Sequence, residues 1–261
     1  MKNLLYNSFL FLIALVLCVN NIYAIDNYGS AGNKARFESR YIVDMPNAGL
    51  LAKGTYAPSI RFVDDGGILL DFTAAPFEFL NIGMSYTFFH IIGSGSIKAH
   101  QDFPGINLKA RVVDEKLTLP AIVVGFNSQG TGAYYEGLDR YDQLHPGLYI
   151  AASKSFVWQL GELSAHVGTN YCVGTDKEYQ GFNFYAGVEQ AIGDYLSCIF
   201  ELNPNFNDND DISSKSKVKL NTALRASISN ITFELQLRDL FTSTKNHGVN
   251  RFVGIEFINR F

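Results

Sequence analysis

The stretch Val249-Asn250-Arg251-Phe252-Val253-Gly254-Ile255-Glu256-Phe257-Ile258-Asn259-Arg260-Phe261 decides the fold. Counted back from Phe261, residues Asn259, Phe257, Ile255, Val253 and Arg251 share one face, while Arg260, Ile258, Glu256, Gly254 and Phe252 share the other. This is the period-2 pattern of a strand with a mostly apolar face. A strand of this length crosses a hydrocarbon layer when tilted. Lipid offers no partner to a free strand edge, so such a strand needs neighbours that close into a barrel.

Working upstream, alternating segments recur with turn signals between them: 54–63, 67–75, 79–88, 105–114, 119–127, 147–156, 163–171, 181–190, 195–203, 217–228, 231–240 and 249–261. Twelve is an even number, as single-chain bacterial barrels require. In 231–240 the apolar set Ile231, Phe233, Leu235 and Leu237 opposes Thr232, Glu234, Gln236 and Arg238, which predicts Leu235 facing lipid and Gln236 facing the lumen. A soluble sandwich would alternate too, but the connections separate the two folds. Every second link, beginning with 75–79, is tight, and the intervening links are long except the first, 63–67. Short turns at one end and longer loops at the other are what an up-and-down membrane barrel produces. The fold class is therefore all-β, a transmembrane antiparallel barrel of about 12 strands over residues 54–261.

Residues 1–24 read as a signal peptide, with Lys2 as the positive end, an apolar core from Phe9 to Val19 and a cleavage site at Ile22-Tyr23-Ala24. Residues 25–53 lack sustained alternation and form either a periplasmic lead-in or a plug. With Lys2 removed, 20 basic residues face 25 acidic ones, a formal charge of −5, so nothing suggests nucleic-acid binding. The 14% aromatic content and mean hydropathy of +0.04 suit strands that are half lipid-facing and half wet. Cys172 and Cys198 fall on opposite faces of strands that are not neighbours, which favours two free thiols over a disulfide. No cofactor or metal is implied.

The closing stretch resembles the last strand of bacterial outer-membrane barrels. In such barrels the terminal Phe and alternate upstream apolar residues are read by the barrel-assembly machinery. The resemblance implies that Phe261, Phe257, Ile255 and Val253 form the assembly signal and that the protein reaches the outer membrane of a diderm bacterium, in contact with its lipid. Asn259 departs from that pattern, standing where it carries an apolar residue. The opening Pro46-Asn47-Ala48 followed by Gly54-Thr55-Tyr56 resembles the "P-T-A…G-x-Y" start of the YjbH-like outer-membrane proteins, with Asn47 in place of Thr. That family is linked to exopolysaccharide production, so a polysaccharide is the partner the resemblance implies, while a small solute is the partner of the alternative channel reading.

The alternation points Arg61, Asp71, Lys109, Arg111, Glu189, Glu201, Lys219, Arg225, Glu234, Arg238 and Glu256 into the lumen. Such balanced charge suits a filled interior of paired ions slightly better than a narrow passage that grades solutes. Ser164 and His166 share a face with Asn170 beyond, a hydroxyl, base and amide of the types acyl transfer uses. They lie on the polar face rather than at a lipid-facing rim, so lumen lining is the preferred account and no catalytic residue is assigned. Asn207 to Asp211 lacks the Gly turn and distal Glu of a calcium loop. Tyr134, Tyr135, Arg140 and Tyr141, in the long third loop, are candidates for stacking on sugars or a partner, or for seating at the membrane interface. The expectation is a non-enzymatic envelope barrel, with a narrow channel second and a lipid hydrolase third.

Overall fold

The computed structural model describes residues 37–173, 181–208, 218–241 and 249–261, with the backbone alone of Tyr23–Ala24. The remainder of the expected signal peptide, and residues 25–36, lie outside the described residues. The wall of the barrel is built in chain order by β1 (Thr55–Val63), β2 (Gly67–Phe77), β3 (Leu80–Phe88), β4 (Gly105–Val113) and β5 (Ala121–Asn127). After a separate hairpin of β6 (Thr131–Tyr135) and β7 (Arg140–Gln143), it continues through β8 (Gly147–Trp158), β9 (Gly161–Tyr171), β10 (Phe182–Ile192), β11 (Leu196–Asn203), β12 (Lys219–Ile228), β13 (Ile231–Arg238) and β14 (Asn250–Phe257). Each wall strand pairs antiparallel with the next, and β5 pairs β8 across the hairpin.

The twelfth wall strand closes on the first. Val253 opposes Phe62 and Glu256 opposes Ser59; past a break at Ile258, Asn259 and Arg260 oppose Tyr56 and Thr55 in unchanged register. No strand edge between β1 and β14 is left to meet lipid, which is the condition for a sheet to span a bilayer. Because β5 is short, the far end of β8 extends beyond it, and there Tyr23–Ala24 pair with Val157 and Phe156.

The faces follow the pleat. Ile82, Met84, Ile106, Leu108, Leu224, Phe233, Leu235, Val253 and Ile255 are exposed on the outside, while their alternating neighbours Asn81, Ser85, Asn107, Lys109, Arg225 and Gln236 are buried within. Leu235 is 46% exposed and Gln236 0%. Phe77, Phe79, Tyr195 and Phe261 stand at the tight-turn rim, and Phe182 and Phe206 at the loop rim, as in the aromatic girdles of membrane barrels.

The boundaries correct the sequence expectation by one to a few residues. β2 runs on to Phe77, β8 to Trp158 and β10 to Ile192, whereas β5 starts only at Ala121, after Pro120 has withheld its amide from the ladder. A larger correction concerns residues 128–146. This link carries the β6–β7 hairpin, which folds inward: Arg140, Tyr141, Asp142 and Gln143 are all buried.

Residues 37–51 lie inside the barrel, and Ala52 and Lys53 emerge at the tight-turn rim. A tight loop held by a hydrogen bond from Ile42 N to Met45 O and a bridge between Tyr41 and Pro46 pushes Ile42, Val43 and Met45 against the inward-facing Tyr185, Ile199 and Ala223. Ala48 packs on Val123, Tyr149 and Ala151, and Leu51 on Ala57, Ala75 and Ile258. The apolar core of this protein is thus the contact between a plug and the inner wall.

Candidate functional site

Inward glycines make room for this filling. Gly125 lies across from Tyr149 and Gly168 across from Tyr185 in the ladder, and a Cβ on either would come within 2.3 or 2.2 Å of the facing ring. A Cβ on Gly187 would lie 2.5 Å from Ile42 of the plug. Glycine in a strand interior here marks a close approach.

The polar groups of the wall serve the plug backbone. Glu201, fully buried, accepts hydrogen bonds from the amides of Val43, Asp44 and Met45, each at 2.9 Å, and its other oxygen accepts one from Asn221 at 2.9 Å. Lys109 donates to the carbonyls of Arg40 (2.5 Å), Asn47 (3.1 Å) and Gly49 (3.3 Å). Arg225 binds Glu189 (2.8 Å) and Glu234 (2.7 Å) and reaches the carbonyl of Ile42 at 2.9 Å. Arg111 pairs with Glu38 and donates to the carbonyl of Ala48 at 2.7 Å. Tyr185 donates to the carbonyl of Pro46 at 2.8 Å, and Ser153 accepts from the amide of Ala48 at 2.9 Å. A non-regular segment can be buried only if its amides and carbonyls find partners, and these wall groups supply them.

Further ion pairs join plug, wall and hairpin. Asp44 of the plug binds Arg238, whose guanidinium also donates to Thr131 at 2.8 Å and lies 4.2 Å from the centre of the Phe252 ring. Lys219 pairs with Asp142 of the hairpin at 3.2 Å, and Arg140 with Asp208 at 2.7 Å. Arg40 of the plug binds Glu256 and lies 3.7 Å from Asp71. All eleven charged residues read from the alternation face inward, and ten of them meet a partner. Among the described residues Arg61 makes neither a hydrogen bond nor an ion pair. The partners Glu38, Arg40, Asp44 and Asp142 were not legible in advance, since none sits in an alternating wall segment.

Of the aromatic loop side chains, Tyr141 is buried inside the barrel, and Tyr134 and Tyr135 are half-buried. Tyr141 packs with Val63, Leu69, Phe89 and Phe252, while Tyr134 stacks on His100 with centroids 4.2 Å apart and donates to Asp139. Burial, reinforced by that carboxylate, pushes the Tyr134 phenol up. Tyr135 donates to Asp142 at 3.1 Å. Ser164 and His166 do not meet: Ser164 lies 3.3 Å from Ser155, and His166 Nδ1 bonds Ser153 at 2.7 Å. No disulfide joins Cys172 and Cys198. Of the acidic loop, Asn207 and Asp208 are described and 209–211 lie outside the described residues. Among the described residues no cluster of His, Cys, Asp or Glu could hold a metal ion.

Comparison with protein families matches residues 36–195 to the YjbH family, described as "Exopolysaccharide biosynthesis protein YbjH". The chain belongs to the YjbH family. The matched range takes in the whole described plug and the wall from β1 through β10 of this YjbH-family barrel. None of the curated proteins matches it. Among solved structures it is similar to the NanC porin in a rhombohedral crystal form, with a TM-score of 0.39 and 6% identity over 79% of this chain and 98% of that one.

Proposed function

We propose that this protein serves exopolysaccharide production from the outer membrane as a non-enzymatic barrel whose lumen is occupied by its own residues 37–51. The observation that carries this reading is the plug of a YjbH-family chain, seated by Glu201, Lys109 and Arg225 through its backbone. A polymer has no open bore to thread while those bonds hold, so the barrel acts as an anchored envelope component rather than as a free conduit. The test is deletion of the gene in the source bacterium, with quantification of secreted polysaccharide. Secretion should fall and be restored by the wild-type chain. Unchanged polysaccharide in the deletion strain would remove the assignment.

A second reading, a narrow channel for small solutes, is favoured by two cavities of about 80 and 70 Å³ that flank the plug on one side. Each exceeds the roughly 10–15 Å³ that one water requires.

A further inference from the structure

The two cavities lie end to end along the closing seam of the barrel. The first is lined by Phe37 and Ile258 toward the tight-turn rim and rises past Thr232 and Glu234. The second continues past Asp71 and Ser85 to Gln129 and Thr131, beneath the inward-folded hairpin. Arg40, Tyr41, Ser59, Arg61 and Glu256 line both. At this shared level Arg40 of the plug reaches across the seam to Glu256 on β14 and toward Asp71 on β2.

The other charges along the seam are accounted for. Arg225 is held by Glu189 and Glu234, Asp44 by Arg238, and Glu38 by Arg111. Tyr41 accepts from Asn107 at 2.5 Å. Arg61 is the exception: a half-buried guanidinium on β1 that lines both cavities and makes no hydrogen bond or ion pair among the described residues, with Asp71 within its electrostatic reach. A guanidinium cannot shed its proton in a protein, so Arg61 keeps a positive charge facing both cavities, while the acids at its level, Asp71 and Glu256, are engaged by Arg40.

We propose that this seam is the solute path of the barrel, that Arg61 selects small anions within it, and that Arg40 bars it by bridging plug and wall. The proposal rests on the channel reading above and goes beyond it in naming the route, the bar and the sign of the solute. Rings or single residues of fixed charge set ion selectivity in pores by this means. The bar is an ion pair between the plug and the wall, so losing either side chain widens the path without touching the barrel ladder.

The experiment is current measurement across planar bilayers in a potassium chloride gradient, using purified wild type, Arg61→Glu, Arg40→Ala and Glu256→Gln. Folding of each is checked by heat-modifiable migration on gels, a readout independent of current. The wild type should pass a small current with the reversal potential of an anion-preferring path. Arg61→Glu should reverse the sign of that potential, and Arg40→Ala and Glu256→Gln should each raise conductance severalfold. Current whose reversal potential is the same in wild type and Arg61→Glu would overturn the proposal while leaving a channel in place. Absence of current in all four folded proteins would overturn both it and the channel reading. Neither result bears on secreted polysaccharide, by which the primary function is judged.

Discussion

Glu201 Oε2 lies 2.9 Å from the amide nitrogen of Asp44, and at the same distance from the amides on either side of it. One wall carboxylate thereby caps three consecutive plug amides, and the side chain of Asp44 returns the favour to the wall by binding Arg238. Truncation in Glu201→Ala leaves these three amides without their acceptor and Asn221 Nδ2 with Asp44 alone at 3.2 Å, and each buried unpaired group costs about 1–3 kcal/mol. The plug should loosen while the wall, whose ladder does not involve this side chain, remains. Hydrogen exchange at residues 43–45 should rise by at least tenfold, with far-ultraviolet dichroism unchanged; protection equal to the wild type would show that the carboxylate does not seat the plug.

The outward face can be tested on a single strand. Leu235 is on the lipid side of β13, and Thr232 on the same strand faces the cavity beside Glu234. An arginine on the lipid face near the bilayer midplane costs ~2–4 kcal/mol, whereas a lumen substitution mostly alters internal pairing. Folded yield in detergent or lipid should therefore fall far more for Leu235→Arg than for Thr232→Arg. The reverse order would place every side chain of β13 on the opposite face.

What was legible in the chain was what repeats locally. Alternation within a strand depends only on neighbours two residues apart, so Leu235 and Gln236, or Leu108 and Lys109, declare their faces without knowledge of the rest of the fold. The lumen contents are not local. Lys109 meets carbonyls of residues 40, 47 and 49, and Arg225 a carbonyl of residue 42, contacts that no periodicity encodes. Ile42, Val43, Met45, Leu50 and Leu51 follow neither a strand nor a helix period, because the plug is packed from all sides as irregular chain. One signal was present: Gly125, Gly168 and Gly187, each at an inward position, mark where Tyr149, Tyr185 and Ile42 fill the lumen. Tyr141 and Arg140 misled for a related reason, since a long polar link reads as exposed until the hairpin within it is seen to fold inward.

The loop rim should respond to pH through His145. This half-buried side chain lies between β7 and β8 with Nε2 3.2 Å from Cys172 Sγ, and burial holds its pKa below the ordinary value despite a hydrogen bond that the ring donates to the backbone of Asn127. The unfolded rim takes up the proton more readily than the folded one, so its stability is full above about pH 6.5 and declines as pH falls below that, levelling once the folded-state pKa is passed. Protection of the Leu144 and His145 amides, taken relative to the intrinsic exchange rate at each pH, should fall between pH 7 and pH 5 in the wild type. His145→Gln should flatten that dependence; an identical slope in the variant would assign the effect to another group.

Closure of the barrel predicts the consequence of losing its last residue. Phe261 donates its amide to the carbonyl of Gly54 at 3.0 Å and its ring stacks near Tyr56 with centroids 6.4 Å apart, while the ring itself is 75% exposed at the tight-turn rim. Its contribution to the finished wall is therefore small: one terminal hydrogen bond and a partly solvated aromatic contact, together on the order of 1–2 kcal/mol. Asn259 and Arg260 would still pair with Tyr56 and Thr55 in a chain that lacks it. If Phe261 matters chiefly to the finished wall, its deletion should lower the unfolding temperature slightly and leave membrane yield intact. If it acts as an assembly signal, the yield of membrane-inserted protein in cells should drop severalfold while barrel refolded from denaturant into detergent stays close to wild type in stability. We expect the second pattern, read by fractionating cells and comparing heat-modifiability of the refolded proteins, and undiminished insertion of the deletion variant would refute it.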